Sequence, residues 1–118
     1  MVQSIKLVVA MISPFKLGEV LDALERVGAQ MPTVTEARSY GHKGHTEIYR
    51  GVEYTPNFVP MVKMEIDVPS DEVDQVTEAI AGAAMSGQIG EVKIFVLSLE
   101  QAVHVPVDKS PIVPLRAA

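Results

Sequence analysis

The chain has 118 residues, of which 47% are hydrophobic and 21% are charged, and its formal net charge is −5. This size and composition predict one folded domain. With three Phe, three Tyr and no Trp, the core of that domain must be aliphatic. The acidic balance argues against a nucleic-acid-binding protein, which normally presents a basic face. The absence of cysteine excludes disulfides and thiolate metal sites.

The first half of the sequence predicts a strand, a helix and a second strand. Residues 5–11 alternate weakly and are rich in β-branched residues, which is typical of a strand buried on at least one side. Ser13 and Pro14 then offer an N-cap and a first helical position for an amphipathic helix that ends at Gly28. Residues 33–40 show the polar alternation of a second strand.

The second half repeats this order. Residues 59–68 alternate between apolar and mostly charged positions, as in a strand with one buried face, and Pro69 ends it. Ser70 is expected to cap a helix with an apolar stripe, and residues 92–99 form the most hydrophobic strand. The tail from residue 103 contains several prolines and is expected to be extended.

This order predicts an α+β, ferredoxin-like βαββαβ domain over residues 1–118, with both helices on one face of a four-stranded antiparallel sheet. The other face would expose apolar side chains such as Phe95, Leu97 and Leu99, so we expect oligomerisation through the sheet. No segment predicts membrane insertion or a signal peptide, since the first apolar run is too short to span a bilayer. We expect a cytoplasmic protein.

Two stretches lack the pattern of helix or strand. Residues 41–58 form a long irregular segment, and such segments are usually functional or disordered. Gly87 and Gly90 precede Lys93 in a glycine-punctuated loop at about residues 85–92. Such a loop can cradle a phosphate with its amides while the lysine neutralises charge. The alternative is an ordinary glycine turn with a solvated lysine.

Five segments, in the order of the P-II family of nitrogen-regulatory signal proteins and at nearly its spacing, resemble that family. They are SPFKLGEVLDALERVG, TVTE, GHTEIYRGVEY, FVPMVKMEI and SGQIGEVKIFV. The resemblance implies a homotrimer of ferredoxin-like subunits with a long protruding T-loop at about residues 41–58 and a glycine-rich B-loop at about 85–92. It also implies that ATP or ADP binds between subunits and that 2-oxoglutarate binds beside ATP through magnesium. The family is regulatory rather than enzymatic, and this sequence shows no catalytic constellation.

The resemblance assigns roles to individual residues. Thr33 and Glu65 match positions that line the adenine or ribose side of the nucleotide, and Gly87, Gly90 and Lys93 match the phosphate side. Arg50 matches an arginine that enters the channel in complexes with ammonium transporters, and Tyr54 matches a T-loop tyrosine that is uridylylated in some relatives. These last residues predict docking of the T-loop on a transporter or a regulatory enzyme.

The sequence departs from the family where the phosphates bind. His104 and Pro106 stand where the family has two arginines, and Val92 replaces a glycine before the lysine. A neutral histidine and a proline cannot replace a bidentate arginine clamp. Charge-assisted hydrogen bonds contribute about 1.5–3 kcal/mol each, so their loss predicts ATP binding weaker by about two to four decades, or a preference for ADP or AMP.

The base of the T-loop departs as well. Residues 41–44 read GHKG, one residue shorter than in the family, and lack the glutamine that helps to ligate magnesium. The lysine expected near 2-oxoglutarate is Met61. His42 and His45 form an H-x-x-H pattern that can ligate a divalent metal, although both also suit an exposed loop. The alternative function is therefore a divergent regulator that responds to a metal ion or another small ligand, linked to an efflux or transport system.

Overall fold

A computed structural model describes residues 4–40, 58–85 and 92–105. Its strands are β1 (Ile5–Ile12), β2 (Thr33–Tyr40), β3 (Phe58–Pro69) and β4 (Lys93–Ser98), and its helices are α1 (Leu17–Arg26) and α2 (Val73–Met85). Short 3-10 turns, Pro14–Lys16 and Ser70–Glu72, lead into the two helices. The order confirms the predicted βαββαβ arrangement; the bounds of β2 are as expected, and those of the other elements differ by up to three residues.

The four strands form one antiparallel sheet in the order β2-β3-β1-β4. Strand β1 lies between β3 and β4, and its residue Met11 is opposite Lys63 on one side and Lys93 on the other. Strand β2 pairs with β3 from Thr33, opposite Glu65, to Tyr40, opposite Phe58. This topology confirms the ferredoxin-like fold.

The core lies between the helices and one face of the sheet. Because side chains alternate along a strand, every second residue from Val8 to Ile12 in β1 and from Val62 to Val68 in β3 faces the helices and is buried. The helices contact each other and close this layer. The residues of the core are aliphatic, as the composition predicted: Val8, Ala10, Ile12, Val20, Leu24, Val62, Met64, Ile66, Val68, Val76, Ile80 and Ala84.

The cap chemistry predicted for the first helix lies on the 3-10 turn that leads into α1, since the N-cap of α1 itself, Lys16, makes no side-chain cap hydrogen bond. The Ser13 side chain accepts a hydrogen bond from the Phe15 backbone N–H at 3.2 Å, and Pro14 occupies the first position of the turn that follows. Gly28, after the last turn, has a φ of 75°, a left-handed conformation that glycine adopts without a steric cost.

The predicted cap of the second helix is wrong. Ser70 is the first residue of a 3-10 turn rather than the N-cap of α2, and Pro69 precedes it without a side-chain cap. The backbone N–H of Ser70 donates to the Ser4 carbonyl at 2.8 Å, and the two serine hydroxyls are 3.2 Å apart. A long-range contact with the start of β1 therefore replaces the local cap.

Within the described ranges, no helix is both long and apolar enough to cross a bilayer.

Candidate functional site

The face of the sheet opposite the helices is the surface on which the described site residues lie. We call it the open face and define it by the side chains that alternate with the buried ones. Its apolar members include Phe95 and Leu97, which are 51% and 44% exposed. The members of the open face are Thr33, Thr35, Leu7, Val9, Met11, Met61, Lys63, Glu65, Asp67, Lys93, Phe95 and Leu97.

The structure brings Thr33 and Glu65 together. They are directly opposite each other in the β2–β3 ladder, so their side chains leave the sheet on the same face. Thr33 is exposed and Glu65 is partly buried. A hydroxyl and a carboxylate placed side by side can accept and donate the hydrogen bonds that sugar hydroxyls or a base edge require.

Lys93 lies on the same face but at the other edge of the sheet. It begins β4, which is separated from β3 by β1, and it is exposed. Three strand spacings of about 4.8 Å separate the β2 edge from β4, or roughly 14 Å. Lys93 is therefore not next to Thr33 in one chain, and the two ends of the predicted nucleotide site are at opposite edges.

Lys63 is a functional candidate that the sequence reasoning did not single out. Both Lys63 and Lys93 are opposite Met11, so the three side chains form one row across β3, β1 and β4. The alternation of residues 61–67 already placed Lys63 beside Glu65 on one face. The missing information was the register of β1 between the two lysine-bearing strands.

His104, which stands where the family has an arginine, contacts an acidic residue. Its Nε2 lies 3.4 Å from Oδ2 of Asp67. This contact directs the tail after β4 back toward the end of β3. The imidazole is thereby engaged with a carboxylate, and the weaker grip on phosphate stays a prediction.

A shallow hollow of about 200 Å³ adjoins this end of β3 and is lined by Gly28, Ala29, Gln30, Asp67, Val68, Pro69, Glu72 and Val76. Pockets that bury a small ligand usually measure about 300–1,000 Å³. The hollow is therefore too small to enclose a nucleotide, and its two carboxylates do not suit a phosphate.

The base of the irregular segment is held by an aromatic cluster. Tyr40, at the end of β2, meets Phe58, at the start of β3, edge to face with ring centroids 5.3 Å apart. The Arg38 guanidinium lies over the Phe58 ring at 5.2 Å from its centroid. Such contacts fix the positions at which the chain leaves and re-enters the sheet.

Several predicted site residues lie outside the described residues: Gly87, Gly90, Arg50, Tyr54, His42, His45 and Pro106. Their assignments stay predictions. Within 4–40, 58–85 and 92–105, no group of three or more His, Asp or Glu side chains could hold a metal ion.

Comparisons with known proteins agree with the fold and the motifs. Residues 5–109 match the family described as nitrogen regulatory protein P-II. A nitrogen regulatory protein P-II of Rhizobium etli is 55% identical over 101 residues, which cover 85% of this chain and 90% of that protein. Nitrogen regulatory protein GlnK of Escherichia coli (strain K12) is 45% identical over 101 residues, with the same two coverages.

A solved structure of Arabidopsis thaliana PII bound to citrate is 33% identical to this chain. The two superpose with a TM-score of 0.65, over 82% of this chain and 78% of that one. The shared fold and the sequence identity together connect the chain to regulatory proteins rather than to a class of enzymes.

Proposed function

Because the chain belongs to the P-II family of nitrogen regulatory proteins, we propose that it is a trimeric signal protein that binds an adenine nucleotide between its subunits. Binding would change the shape of the segment 41–58, through which the protein regulates a transporter or an enzyme. A ligand changes such an ensemble only by binding one of its states more tightly than another.

The observation that carries this proposal is the separation of the site residues on the open face. Thr33 and Glu65 are at the β2–β3 side, whereas Lys93 is on β4. If the β2 edge of one copy lies beside the β4 edge of another, a cleft forms with sugar-binding groups on one wall and a lysine on the other. One copy alone does not place Lys93 beside Thr33 and Glu65.

The apolar part of the open face supports assembly. Phe95 and Leu97 lie on β4, at an edge of the sheet, and expose about half of their surface. Full burial of such a side chain contributes about 1.5–3 kcal/mol, so burying the exposed half contributes about 0.8–1.5 kcal/mol. A threefold arrangement with the sheets facing inward would remove these side chains from water.

The contact between His104 and Asp67 supports a preference for ADP or AMP over ATP. A side chain held 3.4 Å from a carboxylate does not offer the second cation that a triphosphate needs. Isothermal titration tests the preference: ADP should bind more tightly than ATP, and the reverse order would contradict it.

Met61 supports weak sensing of 2-oxoglutarate. It is on the open face one row beyond Lys63, opposite Ala37, and a thioether cannot neutralise a dicarboxylate. Restoring the charge with Met61→Lys should therefore strengthen 2-oxoglutarate binding in the presence of Mg²⁺ and ATP, as measured by calorimetry. An unchanged affinity would show that Met61 is not the limiting residue.

The segment 41–58 is proposed to dock on the partner, with Arg50 and Tyr54 as contact residues. The aromatic cluster at its base would transmit the position of β2 and β3 to the segment. A candidate partner is an ammonium channel, an efflux system or a regulatory enzyme. Attachment of a nucleotide to Tyr54 would block docking by its bulk and charge.

A second candidate is a regulator whose effector is a metal ion or another small ligand. The observations that favour it are the replacement of the arginine by His104, which contacts Asp67, and the Met61 side chain. The proposed metal ligands are His42 and His45.

Thermal shift against ADP, ATP, AMP, 2-oxoglutarate with Mg²⁺, and Zn²⁺ separates the two candidates. A ligand that binds only the folded state raises stability by mass action, by about 2.7 kcal/mol at a hundred times its Kd. Stabilisation by ADP supports the first candidate, and stabilisation by Zn²⁺ alone supports the second.

A further inference from the structure

We propose that Lys63 is a second phosphate-binding residue, which acts with Lys93 of the same chain on the diphosphate group of the nucleotide. This inference rests on the proposed function and adds a residue that neither the sequence motifs nor the comparisons assign. It explains how a chain without the arginine clamp can still hold a charged ligand.

The register of the sheet places the two lysines symmetrically. Met11 is opposite Lys63 in the β1–β3 ladder and opposite Lys93 in the β1–β4 ladder. Residues opposite each other across one antiparallel pair have Cα atoms about 4.5–5.5 Å apart, so the two lysine Cα atoms are about 10 Å apart. Their long stems leave the same face, and their ammonium groups can converge above Met11.

Both ammonium groups are available for an anion. Among the residues that the structure describes, neither lysine has an ion pair or a hydrogen bond of its side chain. Met11 between them is uncharged, and Thr35, opposite Lys63, adds a hydroxyl at the end of the same row. The row therefore presents two positive charges and no negative one.

The neighbouring carboxylates determine where on the open face the phosphate end of the ligand lies. Glu65 is two residues from Lys63 on the same face, about 6.7 Å along the strand, and Asp67 is two residues further and contacts His104. A phosphate is repelled by these carboxylates and is therefore held at the Met11 row. In the assembly, the sugar would then reach Thr33 and Glu65 of a neighbouring copy while the phosphates lie on this row.

The test is isothermal titration of wild type and Lys63→Gln with adenosine, AMP, ADP and inorganic pyrophosphate. A lost charge-assisted hydrogen bond weakens binding by about ten-fold or more. We expect ADP binding to weaken about ten-fold, AMP binding to weaken less, and adenosine binding to stay unchanged. Lys63→Arg should retain most of the ADP affinity.

The matched control is Lys6→Gln. Lys6 is in the same sheet but on the helix-covered face, where its Nζ donates to Ser98 Oγ at 3.1 Å. Its replacement removes the same charge from the chain without touching the proposed site. ADP affinity should therefore equal that of wild type.

The titrations distinguish failure of the proposed function from failure of the proposed role of Lys63. Wild-type protein that binds none of the nucleotides contradicts the proposed function and, with it, this inference. If wild type and Lys63→Gln bind ADP with equal affinity, only the role of Lys63 is contradicted. The same holds if Lys63→Gln loses its assembly, because Lys63 would then pair with a carboxylate of another copy. If pyrophosphate binds as tightly as ADP and Lys63→Gln weakens it, the two lysines bind a diphosphate without its nucleoside, which contradicts a nucleotide as the ligand.

Discussion

The two faces of the sheet are built from the same strands but from different kinds of residue. In β3, the residues that face the helices are Val62, Met64, Ile66 and Val68, all 5% exposed or less. The alternating residues on the open face are Met61, Lys63, Glu65 and Asp67, all partly exposed. One strand thus supplies a wall of the core and a chemically varied surface.

The two faces have different roles: the helix-covered face stabilises the fold, and the open face is the proposed surface for assembly and ligand binding. The helix-covered face is complete within one chain, because two helices remove its side chains from water. The open face combines exposed apolar groups on β4 with charged groups on β3, and nothing within the described residues covers Phe95 or Leu97. Substitutions on the first face should therefore change the free energy of unfolding, and those on the second should change assembly and ligand binding.

The largest expected effect is in the core. Leu24→Ala removes a fully buried side chain and should lower the free energy of unfolding by about 2–5 kcal/mol. Urea unfolding followed by circular dichroism measures the change. Val105→Ala, at a position 74% exposed, should stay within about 0.5 kcal/mol of wild type. A loss below about 1 kcal/mol for Leu24→Ala would contradict its place in the core between the helices and the sheet.

The next effect concerns assembly. Phe95→Asp places a charge in the apolar part of the open face, and burial of an unpaired charge is strongly unfavourable. Sedimentation velocity should show a smaller species than wild type, with the helix signal retained. Phe15→Asp is the matched control, since Phe15 is 92% exposed and is not part of the sheet. Equal sedimentation of all three proteins would exclude the open face as the interface.

A third effect concerns the sugar side of the ligand. Glu65→Gln keeps the shape of the side chain but removes a charged acceptor, so the affinity for ADP should fall about ten-fold. Unlike Lys63→Gln, it should weaken adenosine to the same extent, because the lost contact does not involve phosphate. Calorimetry with both ligands checks this, and a loss confined to ADP would move Glu65 from the sugar to the phosphate side.

A smaller effect is expected at the base of the segment 41–58. Replacing Tyr40 and Phe58 by Leu, singly and together, measures the coupling free energy of the edge-to-face pair. We expect about 0.5–1.5 kcal/mol. A coupling of zero in the double-mutant cycle would mean that the rings do not stabilise the loop base.

The smallest effect is expected for His104→Gln. The His104 side chain is 70% exposed and that of Asp67 is 38% exposed, and exposed ion pairs contribute about 0–1 kcal/mol. The free energy of unfolding should change by less than about 0.5 kcal/mol. A larger loss would show that the contact anchors the tail to the sheet.

The sequence was sufficient for features that depend on local pattern. Alternation in β3 separated the two faces, and Ser13 and Gly28 marked the ends of the first helix. It was not sufficient where a residue far away in the chain determines which contact is made. Ser70 resembles a cap, but its hydroxyl oxygen accepts from Ser4 Oγ and its N–H donates to the Ser4 carbonyl. His104 meets Asp67, which is 37 positions away in the chain.

The candidate site shows the same limit. Family motifs predicted Thr33, Glu65 and Lys93 one at a time, but the motifs do not contain the pairing register. Only the register shows that Thr33 is opposite Glu65 and that Lys63 shares a row with Lys93. Distances across strands depend on tertiary pairing, which a single sequence does not specify.

We propose that the open face is completed by other copies of the chain and then binds a nucleotide. Native mass spectrometry with added ADP tests this most directly. We expect a species with the mass of three 12.8 kDa chains that carries up to three ADP molecules. A monomer that binds no ADP, or a trimer whose mass does not increase when ADP is added, would contradict this proposal.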